Sequence, residues 1–271
     1  MTEPCPIWRV KHRAVTESTN TDARAGEPGD VFTADFQTAG RGRLDHQWLS
    51  PFGENLMMSA VIGVSDMPPE EVVTLPLVVG LAVVEAAEAL LAERDAVEAS
   101  TDLWVKWPND VLIGGRKVCG ILCERKDDRV IVGIGINVNQ TMFDDGIAAR
   151  ATSLLLAVRG SVAQSSAPEV ELAAFSIPSI RDSVLAQLAS LLVSWRQDGF
   201  RAIWPQIAAR DFLKGRTVSV RRTDGDTVPV TGPCGGICVD GSLEIAGEPV
   251  FAGEVFWRDE DILPIDLEGQ I

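Results

Sequence analysis

Residues 103–124 read LWVKWPNDVLIGGRKVCGILCE, a stretch that predicts a chain folding back on itself. Two strand-like runs flank Gly114-Gly115, a dipeptide that suits the tight turn of a β-hairpin. Pro108 and Asn109 interrupt the first run, and they predict a bulge or bend because proline cannot donate to a strand ladder. The hairpin also carries charge, with three cations and one carboxylate close together: Lys106, Arg116, Lys117 and Asp110.

Further strand-like runs lie on both sides of this hairpin. Residues 8–15 alternate apolar and polar side chains, and residues 31–36 and 56–64 read as two more strands. Residues 130–139 form a buried run whose glycines would permit close approach of another backbone or a ligand. Strands and helices are therefore both expected in this part of the chain.

Three helices are expected in the same part of the chain. Residues 77–91 are apolar on nearly every face, which predicts a deeply packed helix beginning near Thr74. Glu85 and Glu88 lie in its apolar run and argue against a membrane span. Residues 93–102 read as a polar connection, and two more helices are expected at about 180–199 and 200–210.

After Leu213 the sequence predicts short strands in place of helices. Five short strands are predicted there, separated by turns that include Gly232-Pro233, and together they predict a small β-barrel. We therefore expect two domains, residues 1–212 and residues 213–271. The five strands are placed at 217–220, 227–230, 236–239, 242–245 and 254–257.

Composition limits the classes of function. The chain has 271 residues, 46% of them hydrophobic and 23% charged, which allows a sizeable core. Its formal net charge of −15 argues against duplex DNA as a ligand, because phosphate neutralisation by a basic face dominates such binding. A small anionic ligand remains compatible with this charge where cations are concentrated locally.

The cysteines and histidines narrow the chemistry further. Five cysteines, an odd number, fit a reducing compartment, and no secretory signal is visible at the N-terminus. The pairs Cys119/Cys123 and Cys234/Cys238 have three intervening residues, whereas zinc ribbons favour two, so we interpret them as buried thiols. With only two histidines, histidine-based triads and metal clusters are nearly excluded.

Residues 37–48, QTAGRGRLDHQW, form the second informative stretch. Glycines let the backbone approach a ligand closely, and Arg41 and Arg43 carry forked donors that stay charged. Trp48 offers a ring to cover a flat group. The loop therefore suits a ligand with phosphate or carboxylate, although a solvated loop is the plain alternative. Upstream, residues 18–20 are open to two interpretations, helix capping and ligand binding.

Taken together, five motifs resemble those of biotin protein ligases, in that family's order along the chain. The resemblance implies an α+β fold whose catalytic domain has a mixed or antiparallel sheet with packed helices. The small C-terminal β-barrel, of SH3-like type, also fits the family. The motifs are Glu17-Ser18-Thr19-Asn20, residues 37–43 with Trp48, Lys106-Trp107-Pro108-Asn109-Asp110, Arg116-Lys117-Val118-Cys119-Gly120, and Gly133-Ile134-Gly135-Ile136-Asn137-Val138-Asn139.

The resemblance implies a role for each matching residue. Lys117, Arg41 and Arg43 would be catalytic, Asp110 would contact magnesium, and Trp48 would sit by the adenine. The biotin site would comprise Ser18, Thr19, Asn20, Gln37, Gly40, Arg41, Gly42, Arg43, Lys117 and Gly120. The nucleotide site would comprise Arg43, Trp48, Lys106, Asn109 and Asn137.

The implied chemistry uses ATP and Mg²⁺ with biotin as substrate, and no permanently bound cofactor. Biotin's carboxylate would attack the α-phosphorus of ATP to give biotinyl-5′-AMP, and a lysine of a biotin carboxyl carrier protein would then take the biotinyl group. A carboxylate is already ionised at neutral pH, so the first step needs clamping and electrostatic stabilisation without a general base. Asp110 is the candidate base for the second step.

The sequence departs from the family pattern in the glycine–arginine stretch, and it leaves alternative functions open. The family loop commonly has Gly-Arg where this chain has Asp45 and His46. The missing glycine and cation are expected to change how the loop closes over the adenylate. The first strand begins near Trp8, so we expect a monofunctional ligase without an N-terminal DNA-binding domain, active in the cytoplasm, without DNA or membrane partners. Two copies could pair through sheet edges as a homodimer. The alternatives are a lipoate or octanoate ligase and a non-catalytic biotinyl-adenylate-binding protein.

Overall fold

The computed structural model describes residues 7–44, 46–94, 96–164, 172–222 and 229–257. These residues form a seven-stranded sheet with packed helices, followed by a separate five-stranded sheet. Residues of both sheets line one cavity.

Seven strands form the larger sheet. They are β1 (Arg9–Thr16), β2 (Asp30–Gln37), β3 (Leu56–Gly63), β4 (Leu103–Lys106), β5 (Asp110–Ile113), β6 (Arg116–Lys126) and β7 (Arg129–Ile136). Their order in space is β1-β2-β3-β7-β6-β5-β4. Strands β1 and β2 pair in parallel, and all other neighbours pair antiparallel. The mixed sheet expected for an α+β fold is confirmed.

Eight helical segments accompany the strands in the described chain. They are α1 (Thr19–Ala23), α2 (Pro69–Val72), α3 (Leu75–Ala92), α4 (Val97–Thr101), α5 (Asp145–Ala148), α6 (Leu154–Gln164), α7 (Ile177–Asp198) and α8 (Phe200–Ala209). The segment Pro69–Ala92 is apolar and long enough to cross a membrane, yet 67% of its most apolar window is buried inside the protein. Helix α3 packs on α7 as the expected core helix. The indole of Trp195 donates to Thr74 Oγ1 at 3.0 Å near its start.

The smaller sheet is antiparallel and comprises β8 (Thr217–Arg222), β9 (Val230–Ile237), β10 (Leu243–Ile245), β11 (Glu248–Val250) and β12 (Gly253–Phe256). These strands form the C-terminal β unit. It is tied to the rest of the chain through two partly buried hydrogen bonds: Trp107 Nε1, between β4 and β5, donates to Gly241 O at 3.0 Å, and Trp204 Nε1, in α8, donates to Ile237 O at 2.7 Å. The boundary at residue 213 stays a prediction, because these contacts join the two parts closely.

Four local expectations are corrected. The connection at 93–102 contains helix α4. The bend at Pro108 is a full reversal, because β4 and β5 pair antiparallel with Lys106 opposite Asp110. The turn expected at Gly232-Pro233 lies inside β9, and β11 was missed, because these glycine- and proline-rich segments carry no apolar alternation. Residues 227–228 of the expected second strand lie outside the described residues.

The buried-thiol interpretation is confirmed for only one member of each pair, because Cys123 and Cys238 are partly exposed. Cys119 and Cys234 are buried, and burial raises the pKa of Cys234 to about 11 and that of Cys123 to about 12. Within the described residues, no group of three or more His, Cys, Asp or Glu side chains is placed to hold a metal ion.

Candidate active site

A cavity of about 500 Å³ lies where α1, the β2–β3 connection, strands β5–β7 and the C-terminal β unit meet. It brings together segments that are up to 239 residues apart in the chain, from Ser18 to Trp257. All but one of the residues that the motifs nominated line it: Ser18, Thr19, Asn20, Gln37, Arg41, Gly42, Arg43, Trp48, Lys106, Asn109, Asp110, Lys117, Gly120 and Asn137.

The exception is Gly40, which is absent from the lining. A Cβ at Gly40 would lie 2.3 Å from Trp48 O, and Trp48 N donates to Gly40 O at 3.0 Å. Gly40 therefore allows the two ends of the loop to touch. Its expected contact with biotin stays a prediction.

One end of the cavity is a buried polar floor made by α1 and its neighbours. Ser18, Thr19 and Asn20 are each less than 5% exposed. Gln37 Oε1 accepts from Thr19 N at 2.7 Å and from Thr19 Oγ1 at 3.0 Å. Ser59 Oγ lies 2.7 Å from Thr19 Oγ1 and 2.6 Å from Asn20 Oδ1. These bonds fix donors and acceptors toward the cavity, as recognition of a small polar group requires.

Ser18 occupies the N-cap position of α1, but its side chain makes no capping bond. The capping interpretation of residues 18–20 therefore does not explain Ser18, whose side chain lines the cavity.

The loop of residues 40–48, called here the glycine–arginine loop, folds over the cavity as a small hairpin. Gly42 N donates to His46 O at 2.7 Å, and His46 N donates to Arg43 O at 3.0 Å. His46 thus closes the loop through its backbone, whereas Asp45 lies outside the described residues. Arg43 Nη1 donates to Asn109 Oδ1 at 3.1 Å and Nη2 to Gly253 O at 3.3 Å.

Burial lowers the pKa of Arg43, with the charges of Asp110 and Glu254 opposing the shift. A guanidinium nevertheless stays charged at neutral pH. Arg43 therefore brings a permanent positive charge to the junction of the loop, β5 and the C-terminal β unit.

Trp48 lies flat against strands β6 and β7. A Cβ at Gly135 would be 2.5 Å from Trp48 Cε2, and one at Gly120 would be 3.0 Å from Cζ3. The glycines of these strands therefore leave room for an indole ring. The sequence had predicted that these glycines permit close approach, but of another backbone or a ligand. Trp48 Nε1 is buried and has no hydrogen-bond partner among the described residues.

A compact charge cluster forms the opposite wall. Asp110 Oδ1 lies 2.7 Å from Lys117 Nζ, and its Oδ2 lies 3.6 Å from Lys106 Nζ. Burial alone would raise the pKa of Asp110, but the two ammonium groups hold it below its usual value. Burial lowers the pKa of Lys106, whose Nζ also lies 4.5 Å from the ring centroid of Trp257.

This arrangement does not fit a magnesium ion held by Asp110. Mg²⁺ prefers oxygen ligands in octahedral array, and here the single carboxylate already faces two cations. No other carboxylate completes a ligand group among the described residues. The magnesium role of Asp110 stays a prediction that would require both lysines to move.

Asn109 and Asn137 support the walls through backbone contacts. Asn109 Nδ2 donates to Ile121 O at 2.8 Å, and Asn137 Nδ2 donates to Thr152 O at 3.0 Å. Asn109 is bonded at both ends of its amide, because its Oδ1 also accepts from Arg43, whereas Asn137 is bonded through its amide nitrogen. Their nucleotide contacts stay predictions.

Several lining or supporting residues were missed by sequence reasoning. Ser59 is a lone polar residue within the buried strand β3, and that irregularity could have revealed it. Glu124, which contacts Asn20 and Arg41, sits at the polar end of β6 and gave no local signal. The C-terminal β unit contributes four consecutive lining residues: Glu254, Val255, Phe256 and Trp257.

Comparison with known proteins agrees with the resemblance found in the sequence motifs. Residues 11–140 match the Biotin/lipoate A/B protein ligase family. This chain is 33% identical over 214 residues to the biotin–[acetyl-CoA-carboxylase] ligase of Mycobacterium tuberculosis. The aligned part covers 77% of this chain and 71% of that protein. The chain belongs to the biotin/lipoate A/B protein ligase family.

Two further proteins are similar to this chain over different extents. The bifunctional ligase/repressor BirA of Bacillus spizizenii is 44% identical over 133 residues, 46% of this chain but only 38% of that protein. A biotin protein ligase from Aquifex aeolicus, solved in complex with biotin and ATP, superimposes with a TM-score of 0.76 at 27% identity. That likeness covers 92% of this chain and 98% of the Aquifex chain, so both sheets of the family fold are present.

Proposed function

We propose that this protein is an ATP-dependent biotin–[biotin carboxyl-carrier protein] ligase. It would activate biotin as biotinyl-5′-AMP and transfer it to a lysine of a carrier such as an acetyl-CoA carboxylase subunit. The observation that carries the proposal is the single cavity lined by a buried polar floor, the glycine–arginine loop and the Lys106–Asp110–Lys117 cluster. Such a cavity can hold a neutral bicyclic ring at one end and phosphates at the other.

Biotin recognition is assigned to the polar floor. The ureido group of biotin has one carbonyl and two amide hydrogens, and each needs a partner once water is excluded. Ser18, Thr19, Asn20 and Gln37 present hydroxyl and amide groups there. Ser59 bonds to Thr19 and Asn20, and Gln37 accepts from Thr19. The acyl chain would lie along the strands toward Lys117.

Adenylation is assigned to the cations of the loop and of β6. A carboxylate oxygen of biotin forms a bond to the α-phosphorus of ATP, and the bond to pyrophosphate breaks. Negative charge grows on the phosphorus oxygens, where Lys117, Arg41 and Arg43 would stabilise it. Mg²⁺ is proposed to accompany the triphosphate as activator, without an assigned protein ligand.

Transfer requires a carrier lysine to attack the biotinyl carbonyl and release AMP. The attacking amine must first lose a proton. Asp110 is a weaker base than the sequence suggested, because the two lysines hold its pKa below the usual value. The proton acceptor therefore remains outside this proposal.

The remaining partner assignments rest on charge and cysteine chemistry. A net charge of −15 opposes binding to duplex DNA, and we propose no DNA partner; a salt-sensitive mobility shift with an operator-like duplex would overturn this. The free thiols Cys119, Cys123, Cys234 and Cys238 support action in the reducing cytoplasm. A homodimer is proposed as a testable state, to be checked by light scattering.

The deciding experiment is mass spectrometry of a biotin carboxyl carrier domain incubated with the protein, biotin and ATP. We expect addition of one biotinyl group to a carrier lysine, absent without ATP. Lipoate and octanoate serve as matched substrates, and their transfer in place of biotin would establish the rival ligase. Tight biotin binding without pyrophosphate release would establish a non-catalytic adenylate-binding protein.

A further inference from the structure

Residues 106–110, called here the β4–β5 turn, face two different parts of the molecule. Four of these five residues line the cavity, and Trp107 is the exception. Trp107 is only 1% exposed, and its Nε1 donates at 3.0 Å to Gly241 O in the C-terminal β unit. The β4–β5 turn therefore contacts the cavity through four residues and the C-terminal β unit through the indole of the fifth.

The acceptor of this bond belongs to a well-ordered turn. Gly241 lies in the connection between β9 and β10, residues 238–242, called here the β9–β10 turn. Gly241 N donates to Cys238 O at 2.9 Å, and Cys238 N donates to Ser242 O at 2.8 Å. Asp240 Oδ1 accepts from Ser242 N at 3.0 Å and from Ser242 Oγ at 2.6 Å. These bonds hold the carbonyl of Gly241 in one direction.

The β9–β10 turn also contacts the start of helix α3. A Cβ at Gly241 would lie 2.9 Å from Thr74 Cγ2, and Gly241 has a φ of +83°, which favours glycine. A larger residue would fit only if Thr74 or the turn moved. The turn is therefore held between α3 on one side and the indole of Trp107 on the other.

The C-terminal β unit contacts the β4–β5 turn a second time through Trp257. The ring centroid of Trp257 lies 4.5 Å from Lys106 Nζ, and its ring packs edge-on against Phe212 at 5.7 Å between centroids. Lys106 and Trp107 are consecutive in the chain, so neighbouring residues contact two separate segments of the same unit. Because the five strands of that unit are hydrogen-bonded in one sheet, the position of the β9–β10 turn affects the position of Trp257.

The far end of the β4–β5 turn is bonded to β6. Ile121 N donates to Asn109 O at 2.9 Å, and Asn109 Nδ2 donates to Ile121 O at 2.8 Å. The amide of Ile121 therefore reports whether the turn stays in place on the sheet.

We propose that Trp107 is a positioning residue for the nucleotide end of the cavity: its bond to Gly241 holds the C-terminal β unit against the β4–β5 turn, and this places Trp257 over Lys106. A cation that is already in position needs less ordering when its ligand binds. The identity of that ligand as ATP rests on the proposed function, whereas the placement of the C-terminal β unit does not.

The first test compares Trp107→Phe with the wild type by hydrogen–deuterium exchange read by NMR. Phenylalanine keeps an aromatic ring but lacks the N–H that bonds to Gly241. The reporters are the amides of Gly241 and Ile121, one on each side of the contact. Both should exchange about fivefold faster, because one hydrogen bond no longer opposes local opening.

The matched control is Trp204→Phe. Trp204, in α8, donates from Nε1 to Ile237 O at 2.7 Å and lies outside the cavity lining. This variant loses the same kind of bond to the C-terminal β unit, but away from the β4–β5 turn. Exchange at Ile121 should stay as in the wild type. If Ile121 exchanged equally in Trp107→Phe and the wild type, the proposal would be overturned.

A second pair of variants changes the contact from the side of the C-terminal β unit. Gly241→Ala would place a methyl group 2.9 Å from Thr74 Cγ2, so the β9–β10 turn must shift. Gly247→Ala is the control, because Gly247 has a similar φ of +87° but a Cβ there meets no atom within 4 Å. Only Gly241→Ala should accelerate exchange at Ile121. An unchanged rate at Ile121 in Gly241→Ala would contradict the proposed coupling.

The kinetics of pyrophosphate release then test the link to the nucleotide. In Trp107→Phe the KM for ATP should rise about tenfold, because Lys106 and Trp257 lose their fixed positions. The KM for biotin should stay within about twofold, since the polar floor lies at the other end of the cavity. Trp204→Phe should change neither value. Equal rises in both KM values of Trp107→Phe would indicate a general loss of structure and refute the positioning role.

The two measurements separate this proposal from the proposed function. If the wild type released no pyrophosphate with biotin and ATP, the proposed function would fail. The exchange comparison needs no ligand, so it would still decide whether Trp107 holds the C-terminal β unit against the β4–β5 turn.

Discussion

Lys117 is the more accessible of the two lysines that flank Asp110, with 39% side-chain exposure against 8% for Lys106. Lys117→Ala should slow pyrophosphate release about 100-fold or more, because it removes a charge aimed at the phosphate in the transition state. Transfer from preformed biotinyl-5′-AMP should change less. The control is Arg116→Ala, an exposed neighbour outside the cavity lining. A defect confined to transfer would contradict the assignment of Lys117 to adenylation.

Gly135 decides whether Trp48 can lie on the sheet. Gly135→Ala would place a methyl group 2.5 Å from Trp48 Cε2, so the indole must leave its position. We expect the free energy of unfolding to fall by about 1–3 kcal/mol and ATP binding to weaken, as in other overpacked sites. Chemical denaturation and calorimetric ATP titration would measure both.

The comparison variant is Gly160→Ala in α6, where a Cβ would meet no atom within 4 Å. It should be neutral or stabilise slightly, because alanine is the better helix former. Unchanged ATP affinity in Gly135→Ala would argue against a role for Trp48 at the nucleotide.

The glycine–arginine loop is an element held at two points, by Glu124 and by the contacts of Arg43. Arg43→Ala should leave the fold intact but release biotinyl-5′-AMP into solution, because the loop loses its ties to Asn109 and Gly253. We expect free adenylate to accumulate several-fold above wild type, detectable by chromatography of the reaction without carrier. Full retention of the adenylate would show that Arg43 does not help to close the site.

The parallel pair β1–β2 is stabilised by a buried carboxylate. Asp30, 3% exposed, accepts from Arg9 and Lys11 at 2.8 Å each and from Glu27 N at 3.0 Å. Burial opposes ionisation, yet these bonds lower the pKa of Asp30 to about 2 from 3.8. A lowered folded-state pKa stabilises the fold above pH 4, and this contribution is lost as pH falls from about 4 to 2.

Asp30→Asn should therefore lower the free energy of unfolding by about 1–2 kcal/mol at pH 7, a value reduced for screening because Arg9 and Lys11 are half exposed. Near pH 2 the variant and the wild type should unfold alike. Urea titrations at both pH values test this, and a difference that persists at pH 2 would refute the charge-based explanation.

At the scale of the whole molecule, the C-terminal β unit completes the wall of the candidate active site. Trp257 covers Lys106 within that site, with 4.5 Å between Nζ and the ring centroid. Burial lowers the pKa of Lys106, and Asp110 partly offsets this. Trp257→Ala should admit water and raise that pKa. Because the proposed role of Lys106 requires its positive charge, the alkaline fall in adenylation rate should move to higher pH.

The matched variant is Phe251→Ala, which removes an exposed aromatic side chain from the same unit. It should leave the pH profile in place. If the alkaline fall in adenylation rate stayed at the same pH in Trp257→Ala, the Trp257 ring would have no effect on the pKa of Lys106.

The sequence by itself determined most strands and helices, since hydrophobic period, glycine and proline act within a few residues. It also identified the glycine–arginine loop and the cations near the hairpin, because their chemistry is legible without partners. Its errors were local too: α4 and β11 are short segments without a strong apolar repeat.

Only the tertiary structure decided which residues meet. Glu124 and Asn20 are 104 residues apart, and Arg43 and Gly253 are 210 apart. Their contacts arise because β6, β7 and β3 lie side by side beneath α1, and because the C-terminal β unit docks at the cavity. Such pairings depend on the order of strands in a sheet, which no local pattern of side chains encodes.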